Sequence, residues 1–517
     1  MKKSFKRAGI AVLSMSMLLS MGAMTAITTN AADENYTVHA SGVLTSSNAT
    51  YKVYKVADNV TGLIPGWSLP EGVSGWSDYS SSSTAADMKL LAATLAGQTP
   101  PDGTLVSATS SGVNLETKVK LDDGYYLVIV TPSSVDCLVE PMLVQVKDGV
   151  PTEAGSTAKV QSLTLTKAIT DVDDDTDKAT TASTNASKTK DSTAVAGVGN
   201  TVSYTIDTSM PKYAPTATVV TPPYIQDTPT NLDDNNTTIK VFLDGTEVAT
   251  NKDDYYSVNV DSATAGATDG GYGFKITFTQ KAVSEYGGKS IQVTYDAVVL
   301  ENANVGTTGN PNTAKIVYNS NYLTGNTHAD DGKEVDDEAE VYTAPLKIVK
   351  KDGNGNTLKD VQFTLKNSED KYVKTDGTTT TNISEATYTT TENNAYADIE
   401  YSGLKDGNYT LTEVQGVANY RPLTSTVTVT ITAGKDSGSN LYNGTYTYKA
   451  AAADSSDSSY VSDDTANNAI IINNAPINSL PGTGGMGTVL FTVGGAAVVL
   501  LAGALFVVYM KKRKIKE

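Results

Sequence analysis

Apolar and polar residues alternate along much of this chain, and that period of two leaves little choice but β-sheet. Val202, Tyr204 and Ile206 alternate with polar residues, as do Val361, Phe363 and Leu365, and again Val427, Val429 and Ile431. Such runs put every apolar side chain on one face of a strand, the signature of a sheet half-buried against a core. Turn-forming clusters such as Asp352-Gly353-Asn354-Gly355 separate the runs. One stretch reads as helix: Ser83 or Thr84 caps it, Met88, Leu91 and Leu95 share a face, and Gly97 ends it. The expected fold class is therefore all-β, a row of immunoglobulin-like β-sandwich domains with one short helix in the N-terminal domain.

Two stretches of the 517 residues are addresses rather than fold. Lys2, Lys3, Lys6 and Arg7 precede an apolar run ending near Ala26, and small residues around Asn30, Ala31 and Ala32 offer a cleavage site, so residues 1–31 read as a secretory signal peptide. Met486 to Met510 carries no charge, is long enough to span a bilayer core, and runs directly into Lys511, Lys512, Arg513, Lys514 and Lys516. Residues 479–517 thus form a C-terminal region with a transmembrane segment and basic tail. Between these ends the sequence divides into sandwiches at 32–160, 161–343 and 344–478.

The formal net charge is −18, and about −26 falls on the body once the four basic residues of the head and the tail's net +4 are set aside. A surface of that sign repels nucleic acid and anionic lipid. Cys137 is the only cysteine, so no internal disulfide can hold these exported sandwiches together. In the apolar run Cys137-Leu138-Val139 it reads as a small buried hydrophobe. Asp171 to Ala196, dense in Asp, Thr, Ser, Ala and Lys, reads as a solvated insertion. Its Asp173, Asp175 and Asp177 have calcium-loop spacing, but Lys178 stands where the loop needs glycine, so no metal and no cofactor is expected. Only two histidines, His39 and His328, occur, far apart, and no nucleophile elbow or phosphate loop is present, which argues against an enzyme.

Leu480-Pro481-Gly482-Thr483-Gly484, placed immediately before the apolar span and basic tail, resembles the sorting signal of sortase substrates. The resemblance implies cleavage between Thr483 and Gly484 by a cysteine transpeptidase, with the chain passed on through Thr483. Pro481 fixes a bend there, and the two glycines let the backbone enter a narrow cleft.

Residues 344–478 resemble the collagen-adhesin B-type domain of Gram-positive pilins. The runs that carry the likeness are Leu346-Lys347-Ile348-Val349-Lys350-Lys351-Asp352, Val361-Gln362-Phe363, Gly407-Asn408-Tyr409-Thr410-Leu411-Thr412-Glu413, Tyr420, and Ile470-Ile471-Ile472-Asn473-Asn474. In such domains a first-strand lysine joins a last-strand asparagine beside a buried glutamate. The resemblance implies Lys350, Glu413, and either Asn473 or Asn474. The chemistry asks for burial, which favours a neutral lysine nucleophile and a neutral acid.

Residues 161–325 resemble the second, bond-forming domain of sortase-assembled major pilins, through Leu163-Thr164-Leu165-Thr166-Lys167, Gly199 to Ile206, Ile225-Gln226-Asp227-Thr228, Val293 to Ala297, Asn304-Val305-Gly306 and Asn312-Thr313-Ala314-Lys315. That resemblance implies Lys167 as nucleophile, Asp227 as proton shuttle, and an acceptor just after Tyr318, where Asn319-Ser320-Asn321 leaves Asn319 and Asn321 open. Residues 32–160 look like the N-terminal domain of the same pilins, through Thr50 to Tyr54, Gly124 to Val128 and Pro141 to Val144. There the family's polymerising lysine best matches Lys159. Lys212, in Met210-Pro211-Lys212-Tyr213, is set aside because it follows a second-domain strand.

The function implied is a structural major pilin, polymerised through Thr483 to a lysine of the next copy and held by intramolecular Lys–Asn bonds. Its implied partners are pilin-specific and housekeeping sortases, other copies of itself and peptidoglycan, with room for minor pilins and a host ligand, and no nucleic acid. The competing expectation is a monomeric wall-anchored adhesin.

Overall fold

A computed structural model describes residues 36–39, 49–58, 62–73, 75–76, 85–111, 116–119, 122–132, 137–147, 150–151, 160–173, 179–181, 192–214, 221–248, 252–260, 272–319, 332–393, 396–477 and 486–514. The chain divides into two compact units, residues 1–343 with 434–445 and residues 344–433 with 446–517. Strands dominate both, in the antiparallel and mixed sheets that the alternation demands.

In the first unit, one sheet is built around Ala49–Asp58, which pairs with Gly124–Pro132 on one side and Leu105–Ser111 on the other. Helix Ala85–Ala96 packs on this sheet: Leu91 and Leu95 share a buried cluster with Val56, Trp67 and Leu127, and Met88 lies against it. Gly97 donates its N–H to the Ala93 carbonyl at 3.0 Å as the helix ends. The proposed caps Ser83 and Thr84 lie outside the described residues.

The same unit holds a second core between two sheets. One has the strand order Thr166–Val172, Thr201–Ser209, Ser290–Val299, Leu232–Leu243, Thr246–Glu247. The other runs Ala179–Thr181, Ser192–Val195, Gly332–Tyr342, Asn310–Asn319, Tyr224–Pro229, Phe274–Phe278, Tyr256–Val260. Tyr204, Ile206, Phe274, Ile276, Val293 and Ile316 fill the space between. Val202, Tyr204 and Ile206 all point inward, as their spacing predicts.

Two expectations change here. The stretch 171–196 is not solvated throughout. Ser192–Val195 is wholly buried and pairs in parallel with Gly332–Tyr342, because Ala194, Val195 and Ala196 are apolar enough to join the core. Asp173 adopts a left-handed φ of 52° and accepts a hydrogen bond from Thr201 N–H at 2.9 Å, while Asp175, Asp177 and Lys178 lie outside the described residues. A second helix, Gln280–Tyr286, is also present; Thr279 caps it by accepting from Ala282 N–H at 3.2 Å. At under two full turns it is too short to show helical periodicity.

In the second unit, one sheet runs Thr391–Asn393, Tyr396–Leu404, Ala344–Asp352, Ala469–Asn474, Val461–Asp464. Its central pair, Ala344–Asp352 and Ala469–Asn474, is parallel, so the first and last strands of this sandwich lie side by side. The facing sheet includes Gln362–Lys366, Gly407–Gln415 and Val427–Lys435. Val361, Phe363, Leu365, Val427, Val429 and Ile431 are all buried between the layers.

Residues 486–514 form one helix. In this helix the described side chains begin at Gly495, and among them no stretch is long and apolar enough to cross a membrane. Cys137 lies in strand Cys137–Val139, opposite Ser162, and its side chain is outside the described set.

Candidate cross-link sites

Lys350 sits in the middle of strand Ala344–Asp352, where alternation turns it into the core, and it is 0% exposed. Its register partner on the last strand is Ile472, and Asp352 is matched with Asn474. Nζ donates to the carbonyls of Ile472 at 3.3 Å and Lys351 at 3.2 Å. No carboxylate among the described residues lies within ion-pair range. Burial pushes the lysine down to about 8, with Glu413 and Asp352 pulling the other way. A minority of the population, far larger than for an ordinary lysine, is therefore neutral near physiological pH, with its lone pair free to attack.

Of the two asparagines left open, Asn474 is the buried one, at 0% exposure, while Asn473 falls on the opposite pleat and is partly exposed. Asn474 Nδ2 donates to Glu413 Oε1 at 2.7 Å. Its carbonyl Oδ1 is buried without a hydrogen-bond partner among the described residues. Glu413 is half-buried, and its other oxygen accepts from Leu423 N–H at 3.3 Å. Desolvation raises its pKa, against the opposing pull of the Asn474 hydrogen bond and of Lys350. Tyr420 forms an isolated bridge with Pro476 just beyond the last strand. The second unit thus brings together a desolvated amine, a carboxyl group of raised pKa and an amide whose nitrogen already points at that carboxyl.

The first unit holds a comparable cluster between its two sheets. Lys167 is buried on the edge strand Thr166–Val172, and Asp227 is buried on Tyr224–Pro229 of the facing sheet. Lys167 Nζ hydrogen-bonds Asp227 Oδ1. Nζ also lies 5.1 Å and 5.4 Å from the ring centres of Tyr204 and Tyr295, which stack on each other. Burial lowers the lysine's pKa, with Asp227 opposing. Tyr295 OH donates to Asp227 Oδ2 at 2.9 Å and receives Asn312 Nδ2–H at 3.1 Å. Asn312 is 0% exposed and its Oδ1 has no partner among the described residues, the same condition as Asn474.

The structure brings Asn312, rather than Asn319, to this cluster. Asp227 pairs with Ala314, and Asn312 lies two residues along on the same face. Asn319 is five residues from Ala314 on the opposite pleat, about 17 Å further along at the usual strand rise. There its backbone carbonyl accepts from Tyr213 OH at 3.0 Å. Asn321 lies outside the described residues. The signal for Asn312 was in the sequence: Asn312, Ala314, Ile316 and Tyr318 alternate, and all four are buried. An asparagine in that apolar row needs a partner inside the core.

Lys159 and the run Leu480 to Gly484 lie outside the described residues. Lys212 is half-exposed, its Nζ 3.5 Å from Glu140 Oε1, and its backbone N–H donates to Gln161 Oε1 at 2.8 Å.

Comparison with known proteins bears directly on these two units. Residues 344–446 match the family described as SpaA, a prealbumin-like fold domain. Residues 473–517 match the LPXTG cell wall anchor motif, which places the protein at the cell wall. Among curated proteins the chain is 25% identical over 415 residues, covering 69% of it and 70% of the relative, to the trypsin-resistant surface T6 protein of Streptococcus pyogenes serotype M6. Among solved structures it is similar to the T6 backbone pilin of that serotype, reported as a modular three-domain structure, with a TM-score of 0.53, 17% identity, and coverage of 87% of this chain and 100% of that one. The shared fold is modular and β-rich, as the alternating pattern requires.

Proposed function

We propose that this chain is the repeating shaft subunit of a sortase-assembled surface pilus, made rigid by two internal lysine–asparagine amides. The observation that carries the reading is the pair of buried lysine–acid–asparagine clusters, Lys167–Asp227–Asn312 and Lys350–Glu413–Asn474. Each contains an asparagine carbonyl without a partner in the core. Leaving such a group and a lysine buried is costly unless the two react.

In each cluster the lysine Nζ lone pair attacks the asparagine Cγ. The acid takes a proton from Nζ and returns it to Nδ2, the Cγ–Nδ2 bond breaks, and ammonia leaves. The result is a neutral secondary amide in place of a buried amine. Lys350–Asn474 joins adjacent strands of one sheet, while Lys167–Asn312 joins facing sheets. Together they replace the disulfides that a chain with one cysteine cannot form.

Outside the folded units, Thr483 carries the chain to a pilin sortase and then to a lysine of the next copy, with Lys159 the proposed acceptor. A housekeeping sortase attaches the finished polymer to peptidoglycan. The domain limits 32–160, 161–343 and 344–478 belong to this proposal. The test has two parts. Intact mass of the folded protein is expected about 34 Da below the calculated weight, one ammonia per bond. Producing cells are expected to show an SDS-resistant ladder. A full calculated mass refutes the bonds, and a single wall-linked band assigns the chain to a monomeric adhesin.

A further inference from the structure

Lys167 is held by the facing sheet at its backbone as well as at its amine. Its strand, Thr166–Val172, is the edge of its own sheet, and among the described strands its ladder partner is Thr201–Ser209. The backbone N–H of Lys167 turns away from that ladder, and a buried N–H needs an acceptor. Asp337 supplies it: its Oδ2 accepts from Lys167 N–H at 2.7 Å. Asp337 is 7% exposed, in the inward-facing row Val335, Asp337, Ala339 and Val341 of strand Gly332–Tyr342. Register places it beside the reacting groups. Asp227 pairs with Ala314, and Ala314 pairs with Asp337. The two aspartates therefore lie on one face of that sheet, two strands or about 10 Å apart, with the small Ala314 between them. Lys167 bridges the pair, its N–H on Asp337 and its Nζ on Asp227.

We infer that Asp337 is a positioning residue for the Lys167–Asn312 reaction, fixing the lysine backbone so that Nζ arrives at Asn312 Cγ. The inference rests on the cross-link reading of this domain. Attack needs the nitrogen and carbon aligned within about 3–3.5 Å, and a misplacement of about 1 Å costs about a hundredfold in rate. Lys167 Nζ ends a flexible chain of four methylene groups, on a strand with a ladder neighbour on one side only. Its placement therefore depends on how firmly the backbone of residue 167 is held. For this role Asp337 needs an acceptor oxygen, and neither a proton nor a charge; proton transfer from Nζ to Nδ2 stays with Asp227. Ser192 offers a built-in comparison. It is buried on the next strand, opposite Ala339, and its Oγ accepts from Ile169 N–H at 2.8 Å. Ser192 thus holds the same edge strand two residues past the lysine, without touching the backbone of the residue that reacts.

The test uses the full chain recovered unfolded and diluted into detergent-containing buffer near neutral pH. Samples are quenched over time and the Lys167–Asn312 peptide is counted after trypsin. Formation of Lys350–Asn474 in the same molecules serves as the internal clock and is expected to stay unchanged. Asp337→Ala is expected to form the first bond at least about tenfold more slowly than wild type. Asp337→Asn, which keeps an acceptor oxygen and loses the charge, is expected to recover the rate to within about threefold, and Ser192→Ala to stay within the same range. Thermal melts of each variant combined with Asn312→Ala, where no first-unit bond forms, report what each contact does for the fold alone. A wild-type rate in Asp337→Ala overturns the inference. So does Asp337→Asn as slow as Asp337→Ala, which would make the charge or a proton the working part. Equal slowing in Ser192→Ala reduces Asp337 to a general anchor of the edge strand, and loss of the first-unit melting transition in Asp337→Ala makes it a folding residue; both outcomes overturn the inference and leave the cross-link intact. A wild-type chain that joins Lys350 to Asn474 but never Lys167 to Asn312 removes the cross-link reading of this domain and the role of Asp337 with it.

Discussion

Asn474→Ala removes the acceptor of the second-unit bond while leaving Lys350 and Glu413 in place. Two costs follow. The amide closes a loop of about 125 residues, and opening it returns about 5 kcal/mol of chain entropy to the unfolded state. The unreacted lysine must also stay buried. Its folded pKa of about 8 lies below the ordinary 10.5. A shift of that size costs about 3 kcal/mol at pH 7. The sign follows from linkage. Between the two pKa values the unfolded chain binds more protons than the folded one, so the variant gains stability as pH rises from about 8 to above 10. Below pH 8 the full penalty is present. The wild-type amide has no such dependence. Asn474→Ala is therefore expected to lose about 8 kcal/mol in the second unit at pH 7 and about 5 at pH 10.5. Mass spectrometry and calorimetry at the two pH values check it. A variant that still lacks one ammonia in this unit, or whose melting is indifferent to pH between 7 and 10.5, refutes the argument.

Asn312→Ala is expected to abolish the Lys167 cross-linked peptide and to cost about 5 kcal/mol in the first unit, whereas Asn319→Ala leaves the peptide intact; tryptic mapping separates them. Lys159→Ala is expected to remove the high-mass ladder from producing cells, and Lys212→Ala to preserve it, as read on a denaturing gel. Gly273→Ala is expected to destabilise the first unit by about 1–3 kcal/mol, since its methyl group meets the Asp234 carboxylate, and Gly273→Ala combined with Asp234→Ser should recover part of the loss in a thermal melt.

Strand faces were legible in the sequence because a period of two survives any tertiary context. Lys167 and Lys350 were reached through the family resemblance, and both are buried. The choice between Asn473 and Asn474 was not legible, because it turns on a single step of register with the neighbouring strand. Asn312 could be read as a core residue from its alternating row, but its place beside Asp227 could not. Asn310, Asn312, Asn319 and Asn321 crowd one region, and only pairing with Asp227's strand shows which shares its face. The burial of Asp234 could not be read at all. In Asp233-Asp234-Asn235-Asn236 it looks like part of a solvated run, yet it is buried on Leu232–Leu243. The apolar end of the stretch 171–196 was masked by the polar composition around it.

The parallel pairing of Ala344–Asp352 with Ala469–Asn474 has an evolutionary consequence once Lys350 and Asn474 are joined. A pull along the polymer enters this domain near residue 344, crosses the amide after a few residues, and leaves beyond 474. Everything in between hangs from the thread as a passenger. Its exposed loops can drift in sequence without making the fibre any easier to break.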